Sequence, residues 1–185
     1  MKEALLVLDM LNDFVRAGAS LEVPDTRKIL PIVRKEIDRA HAAGYPVIYV
    51  CDAHAPDDKE FNKFGWPAHA VRGTSGAKVV EELKPAKEDI VISKTTYTAF
   101  FGTILDATLR RLGVDSLRLT GTVTHICVLF TAVEAVLLDY NVIVVEDGVA
   151  GISREDHEAA LRIMKNVFAV TIIKSGTEAT VRKAA

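Results

Sequence analysis

The chain has 185 residues, of which 49% are hydrophobic and 26% are charged, and its formal net charge at pH 7 is −2. This length suits one α/β domain with a sizeable core and is short for two such domains. The near-neutral charge gives no electrostatic basis for binding nucleic acid or an acidic membrane surface, and no apolar run approaches the ~20 residues that span a bilayer.

Short apolar runs alternate with helical patterns along the chain. The predicted strands are 3–9, 46–52, 89–93, 116–121, 141–146 and 168–173. The predicted helices are 26–43, 76–83, 102–112, 126–139 and 154–166, and Asp25 or Thr26 can cap the first of them. Runs that are apolar throughout are typical of parallel strands buried on both faces. The pattern predicts a three-layer α/β/α sandwich with a mostly parallel six-stranded, Rossmann-like sheet, in a single domain over residues 1–185.

The N-terminus and the cysteines indicate the cellular setting. Asp9 interrupts the apolar N-terminal stretch and no small-residue cleavage site follows, which argues against a signal peptide. Two cysteines, Cys51 and Cys127, are too few for a disulfide scaffold and suit a reducing compartment. We therefore expect a cytoplasmic protein.

Four residues that a plain core does not need follow the predicted strands. Asp9, Asp52, Lys94 and Cys127 lie at or just past the ends of the first four strands. Open α/β sheets bind their ligands outside the carboxyl ends of the strands. Because all four residues converge on that edge, we expect them to form one site.

Cys127 is the candidate nucleophile of this site. The chain turns from strand into helix just before it, so its sulfur is expected near a helix N-terminus, where unpaired amides and the helix dipole favour a thiolate. The alternative is a small buried hydrophobe, the usual role of a free cysteine. We assign that role to Cys51, which lies within the second predicted strand.

Asp9 and Lys94 are the expected partners of Cys127. A carboxylate at a buried strand end is costly unless it is paired with a cation or a proton. A lone lysine is normally a solvated surface charge, but Lys94 ends an apolar strand. The three side chains together would supply a nucleophile, a proton carrier and a cation beside the thiolate.

A second group, in and beside the long irregular segment 53–75, suggests a metal site. Asp52 and His54 form a D-x-H pair, and His69 follows in W-P-A-H. Imidazoles and a carboxylate suit zinc, iron or manganese, and three ligands leave coordination positions open. Glu60 or Asp58 could complete the shell. The alternative is that these are ordinary surface histidines, because the D-x-H spacing is common.

Four aromatic residues lie in segments that lead from the same strand ends. They are Phe14, Trp66, Tyr97 and Phe100. Aromatic walls would suit a flat ring as substrate, whereas ordinary core packing is the alternative, above all for Phe100.

These motifs resemble the isochorismatase-like cysteine hydrolases and, within them, the nicotinamidases (pyrazinamidases). The segments that carry the resemblance are 8–14 (LDMLNDF), 52–54 (DAH), 66–69 (WPAH), 73–76 (GTSG), 94–100 (KTTYTAF) and 121–128 (GTVTHICV). The resemblance runs from Met1 to about Ser175. It implies that Asp9, Lys94 and Cys127 are the catalytic triad.

The resemblance implies further features of the site. A non-proline cis peptide is expected at Thr122–Val123, with the amides of Val123 and Cys127 as the oxyanion hole. Phe14, Trp66 and Tyr97 are expected to line the pocket of a pyridine ring. The metal ligands are expected to be Asp52, His54 and His69, with Glu60 similar to an acidic ligand that some members use; zinc is the first candidate, and iron and manganese are the others.

The function implied is the hydrolysis of nicotinamide to nicotinate and ammonia through a Cys127 thioester, a step of NAD salvage. Other small amides, N-carbamoyl or ureido compounds and vinyl ethers remain alternative substrates. A dinucleotide-binding protein is disfavoured because no G-x-G-x-x-G follows the first strand, and the triad disfavours an inactive scaffold. The partners expected are a small carboxamide and, by family analogy, further copies of the chain in a homodimer or higher oligomer.

Overall fold

A computed structural model describes residues 2–177. The strands are β1 (Glu3–Leu8), β2 (Val47–Asp52), β3 (Ile90–Lys94), β4 (Ser116–Thr122), β5 (Asn141–Ala150) and β6 (Thr171–Ile173). The α-helices are α1 (Asn12–Val15), α2 (Thr26–Ala42), α3 (Lys59–Phe64), α4 (Leu105–Leu112), α5 (Leu129–Leu137) and α6 (Arg154–Phe168). A short 3-10 turn covers Glu81–Leu83, and a π-helical turn covers Thr124–Val128.

The six strands form one sheet in the order β3-β2-β1-β4-β5-β6, and every neighbouring pair is parallel. The chain builds outward from β1 through β2 to β3, and then returns to add β4, β5 and β6 on the other side of β1. The predicted α/β sandwich is confirmed. Strand order therefore reverses between β1 and β4, where open α/β sheets bind their ligands.

Alternating side chains of β1 pack into two different core layers. Leu6 and Leu8 face the layer built with α4, α5 and α6, whereas Leu5 and Val7 face the layer built with α2. Both faces of the central strand are thus buried, which explains why its sequence is apolar throughout. Among residues 2–177, no helix is long and apolar enough to cross a membrane.

Several predicted boundaries are wrong, for local reasons. The helix predicted over 76–83 is reduced to the turn at 81–83, because the backbone before it bonds to the segment after β1: Asn12 N donates to Lys78 O at 2.9 Å. Strand β6 begins at 171 rather than 168, because α6 continues to Phe168 and ends at Ala169 in a left-handed conformation.

Strand β5 and three helical segments also differ from the prediction. β5 extends to Ala150 past a register shift against β4, four residues beyond its predicted end. Two short helices, α1 and α3, were not predicted, and the helix predicted at 126–139 is a π-helical turn from 124 followed by α5. Asp25 is the N-cap residue of α2, as one of the two predictions has it, but its side chain makes no capping bond; Thr26 is the first helical residue and is buried with its hydroxyl 3.3 Å from Thr122 Oγ1.

Candidate active site

The carboxyl ends of β1 to β4 bring Asp9, Asp52, Lys94 and Cys127 together in a buried cluster. Asp9 follows β1 directly and has a φ of 50°, which turns the chain out of the sheet. Its amide donates to Val50 O at 3.0 Å, and its Oδ1 accepts a hydrogen bond from Asp52 N at 2.7 Å. The backbone of the neighbouring strand β2 therefore holds both the main chain and the carboxylate of Asp9.

Lys94 lies at the centre of the cluster. Its Nζ is 2.8 Å from Asp9 Oδ2, donates to Asp52 Oδ1 and to Thr96 O at 3.0 Å, and is 3.5 Å from Cys127 Sγ. The contact with Asp9 Oδ2 is a buried ion pair, so the ammonium group lies between this carboxylate and the sulfur of Cys127.

The charges of this cluster shift the pKa values of its members. Burial lowers the pKa of Lys94, but Asp52 and Asp9 outweigh it and hold the pKa well above its ordinary value. Burial and the charge of Asp52 raise the pKa of Asp9 to about 6, against the opposing effect of Lys94. The lysine therefore stays charged, and Asp9 titrates in a range useful to a proton carrier.

Burial opposes the thiolate that a helix N-terminus was expected to favour at Cys127. Burial raises the pKa of Cys127 well above its ordinary value, although Lys94 opposes the shift. The position of Cys127 relative to the helix also differs from the prediction. Cys127 lies within the π-helical turn, and α5 begins only at Leu129. Burial therefore favours the protonated thiol over the thiolate at this position. Cys51 is a buried core residue, as predicted.

Asp52, His54 and His69 form the second group that was predicted. One ligand atom from each lies within 4.8 Å of the other two, and all three residues are buried. Asp52 uses Oδ1 for Lys94, while its Oδ2 is 3.8 Å from His54 Nε2. This carboxylate therefore links the two groups.

The histidines are arranged as metal ligands are. His54 Nδ1 pairs with Asp58 Oδ2 at 3.0 Å, and His69 Nδ1 pairs with Pro67 O at 2.8 Å. Metal-binding histidines commonly hold their second ring nitrogen in this way. His54 Nε2 is buried and has no hydrogen-bond partner among residues 2–177, so these residues fit a divalent metal. Burial lowers the pKa of His54, but Asp52 and Asp58 outweigh it and raise the pKa to about 9.

The two candidates for a fourth ligand occupy different places. Asp58 pairs with His54 and caps α3 by accepting from Glu60 N at 3.0 Å, so its carboxylate already has partners. Glu60 lines the pocket, where burial raises its pKa, but it is not among the three residues whose ligand atoms cluster. Its role as a ligand stays a prediction.

A pocket lies beside both groups and is lined by Asp52 and His69 of the second group and by Cys127 of the first. Phe14, Trp66 and Tyr97 line it as predicted, and Trp66 Nε1 donates to Tyr97 Oη at 3.1 Å. Phe100 belongs to the core instead.

Three apolar residues of the pocket wall were missed. They are Leu21, Ile126 and Ile152. Ile152 follows the carboxyl end of β5 and Ile126 directly precedes Cys127, so position at the sheet edge could have indicated both. Leu21 lies in an irregular segment after α1, where no pattern points to it.

The predicted cis peptide at Thr122–Val123 is present. Val123 and Cys127 both line the pocket. Val123 O accepts from the amides of Ile126 and Val128 at 3.0 and 3.1 Å, which forms the π-helical turn around the cysteine. The role of the Val123 and Cys127 amides as an oxyanion hole stays a prediction.

Most of this chain is similar in sequence to known proteins. Residues 3–174 match the isochorismatase domain family. A protein of Arabidopsis thaliana named a probable inactive nicotinamidase is 36% identical over 173 residues, which cover 89% of this chain and 88% of that protein.

Two crystal structures resemble the whole fold. That of N-carbamoylsarcosine amidase from Thermoplasma acidophilum has a TM-score of 0.86 and 37% identity, and the match covers 96% of this chain and 99% of the other. That of the pyrazinamidase of Pyrococcus horikoshii in complex with zinc has a TM-score of 0.88 and 34% identity, covering 94% and 99%. The relatives thus include proteins named for different small amides.

Proposed function

Because this chain belongs to the isochorismatase-like hydrolase superfamily, we propose that it is a metal-containing cysteine amidohydrolase that converts nicotinamide to nicotinate and ammonia. The observation that carries the proposal is the buried contact of Lys94 Nζ with Cys127 Sγ and with Asp9, beside three clustered metal ligands. The aromatic pocket beside them supports a flat ring as the substrate.

The first half of the reaction forms a thioester. Asp9 takes the proton of the Cys127 thiol, and Lys94, 3.5 Å from the sulfur, stabilises the thiolate. The thiolate attacks the amide carbonyl carbon, and the amides of Val123 and Cys127 bind the resulting oxyanion. The C–N bond breaks while Asp9 returns the proton to the departing ammonia, which leaves the acyl group on the sulfur.

The second half regenerates the enzyme. Asp9 takes a proton from a water molecule, and the hydroxide attacks the thioester carbonyl. The C–S bond breaks, the acid leaves, and the sulfur recovers its proton from Asp9. One water molecule is consumed for each ammonia and acid released.

Asp52, His54 and His69 would hold the metal, for which zinc is the first candidate and iron and manganese are the others. When bound, the metal supplies a Lewis acid that can anchor a ring nitrogen of the substrate. Phe14, together with Trp66 and Tyr97, would hold the ring on its flat faces and exclude water from the reacting carbonyl.

The experiment is ammonia release from nicotinamide by protein of measured metal content, with Cys127→Ala as the matched inactive variant and Cys51→Ala as the control cysteine. We expect release that Cys51→Ala retains and Cys127→Ala loses. Equal release by Cys127→Ala and the unaltered protein would contradict the mechanism.

A second substrate class is favoured by one observation, the 37% identity to N-carbamoylsarcosine amidase over nearly the whole chain. An N-carbamoyl group also presents a carbonyl carbon that loses ammonia, so the same triad could attack it. A panel that includes nicotinamide, pyrazinamide and N-carbamoylsarcosine separates the two classes. Release from N-carbamoylsarcosine alone would replace nicotinamide as the substrate while keeping the cysteine mechanism.

A further inference from the structure

The segment just after the catalytic strand β1 is joined to the loop that carries His69. Asn12 Nδ2 donates to Ser75 O at 2.8 Å, and Asp13 N donates to Gly76 O at 3.1 Å. Leu11 pairs with Val79 in an isolated antiparallel bridge. These bonds tie the segment that follows Asp9 to the segment that follows the metal ligand.

Asp13 makes the contact closest to the metal ligands. Its Oδ2 accepts a hydrogen bond from Ala70 N at 2.8 Å, and Ala70 is the residue that directly follows His69. Ala70 has a φ of 44°, in the left-handed region that an alanine rarely adopts, and its side chain is fully buried. A partner that holds its amide is therefore needed to keep the backbone in this conformation.

The peptide groups of Ala70 connect both histidines to Asp13. Its carbonyl accepts from His54 N at 3.0 Å, while its amide is held by Asp13. One residue thus lies between the backbones of His54 and His69, and its orientation depends on a carboxylate that itself contacts neither histidine nitrogen. Phe14 follows Asp13 and packs edge-on against the His69 ring, with ring centroids 5.5 Å apart.

Gly76 makes the position of Asp13 possible. A Cβ atom on Gly76 would lie 2.1 to 2.5 Å from Oδ2, Cγ and Oδ1 of Asp13, well inside contact distance. Because the clash would fall on the carboxylate itself, any side chain at residue 76 would displace it. The glycine is therefore required by the Asp13 carboxylate rather than by its own backbone angles.

We propose that Asp13 is a positioning residue of the metal site, which sets His54 and His69 through the backbone of Ala70, and that Gly76 leaves the space for it. The inference rests on the metal assignment in the proposed function. It assigns to Asp13 a role in metal affinity through a hydrogen bond, without contact with the substrate or the reacting atoms.

The test is the affinity of metal-stripped protein for Zn²⁺, measured by competition with a chromophoric chelator. Loss of a group that orients metal ligands typically weakens metal binding by about 10–100-fold, and we expect Asp13→Ala to do so. Asp13→Asn keeps an oxygen that can accept from Ala70 N, and we expect its dissociation constant to stay within a few-fold of the unaltered protein. Gly76→Ala should weaken binding as Asp13→Ala does.

Asp147→Ala is the matched control. Asp147 is also a partly buried aspartate that accepts from a distant backbone amide, that of Ser175 at 2.8 Å, away from the histidines. We expect its zinc affinity to be unchanged. If Asp13→Ala does not fold, the test depends on Asp13→Asn and Gly76→Ala. The inference would be overturned if Gly76→Ala bound zinc as tightly as the unaltered protein. It would also be overturned if Asp13→Asn bound zinc 10-fold or more weakly than the unaltered protein.

His69→Ala separates this inference from the proposed function. If the unaltered protein binds Zn²⁺ no more tightly than His69→Ala, the metal assignment and the inference both fail. If binding depends on His69 but folded Asp13→Ala binds as tightly as the unaltered protein, only the role of Asp13 is overturned.

Discussion

Lys94 balances the charge of the site. Two buried carboxylates, those of Asp9 and Asp52, face its ammonium group, and the thiol of Cys127 lies 3.5 Å away. The lysine has three partners with which it can share its charge, so it can stabilise a thiolate when Asp9 takes the proton. In the proposed mechanism the lysine would therefore support both the stability of the fold and the reaction.

We expect Lys94→Met to lower the free energy of unfolding by about 3–5 kcal/mol, because it leaves two buried carboxylates unpaired. Turnover should be lost as well. Adding Asp9→Asn to Lys94→Met should restore part of the stability, since one unpaired charge is then removed, but should not restore turnover. Urea denaturation of the unaltered protein, the two single variants and the double variant measures the coupling energy between Lys94 and Asp9.

Lys28→Met is the control for this cycle, because its ion pair with Asp25 is exposed and should contribute little. Strictly additive effects of the Lys94 and Asp9 substitutions would contradict the charge balance described above.

Metal removal tests the other half of the site. A ligand at about 100 times its dissociation constant stabilises the native state by about 2.7 kcal/mol, which for a chain of this size is a Tm shift of roughly 5–10 °C. We expect a chelator to lower the Tm of the unaltered protein by that amount and to leave the Tm of His69→Ala unchanged. Differential scanning calorimetry with and without the chelator measures both. An equal shift in the two proteins would show that the metal binds elsewhere.

At the scale of elements, the close contact of β1 and β4 brings Asp9 and Cys127 together. Gly121 pairs with Leu8 and has a φ of 111°, and a Cβ on it would lie 2.0 Å from Leu8 O. The backbones of the two central strands thus approach more closely than a side chain allows, just where β1 leads into Asp9.

We expect Gly121→Ala to destabilise the fold by about 3 kcal/mol or more, because it combines a disallowed backbone angle with a backbone clash. Gly113→Ala is the matched control: Gly113 also has a positive φ, 68°, but nothing lies within 4 Å of its Cβ position, so it should cost about 1–2 kcal/mol. Denaturant midpoints and nicotinamide turnover of both variants provide the measurement. Equal destabilisation by the two substitutions would mean that the close approach of β1 and β4 adds nothing to the cost of a side chain at Gly121.

The sheet and the clustering of the site were predictable because they depend on short-range patterns. Runs such as Leu5–Leu8 indicate parallel strands, and parallel strands place their carboxyl ends at one edge, so Asp9 and Cys127 had to meet. The ends of the elements were less predictable. The segment around Lys78 has a helical pattern, but its backbone bonds go to Asn12, which is distant in sequence.

The effect of burial on the Cys127 thiol could not be predicted from the sequence. The strand-to-helix turn is visible in the sequence, but the degree to which Cys127 is removed from water is set by residues from several elements, and desolvation outweighs the charge of Lys94. The same holds for Leu21, which reaches the pocket from an irregular segment. Tertiary packing decides both, and no local pattern encodes it.

For the whole molecule, the charged residues at the two ends of the sheet have different roles. At the amino end, Arg118 lies 3.2 Å from Glu3 and 3.3 Å from Glu36, and Arg39 pairs with the same two glutamates. In this network Arg118 and Glu36 are buried and Glu3 and Arg39 are half-buried, and it ties β1 and β4 to α2. The carboxyl end holds the candidate site. Charged residues are thus buried at both ends, and those at the amino end are separate from the chemistry.

We expect Arg118→Met to lower the free energy of unfolding by about 3 kcal/mol, because it leaves a buried glutamate short of a partner. Turnover per folded molecule should not change, since Arg118 lies at the other end of β4 from Cys127. Arg154→Met, which removes an exposed pair with Glu158, is the control and should change stability little. A loss of turnover in folded Arg118→Met would show that the two ends are coupled.

The proposed mechanism requires Cys127 to form a thioester with the substrate. The most direct measurement is mass spectrometry of the Cys127 peptide after protein turning over nicotinamide is quenched in acid. We expect a nicotinoyl adduct on Cys127 that disappears when nicotinamide is consumed, and none on Cys51. Two results together would contradict this mechanism. They are steady ammonia release by the Cys127→Ala variant as well as by the unaltered protein, and no adduct on Cys127 of the unaltered protein at any quench time.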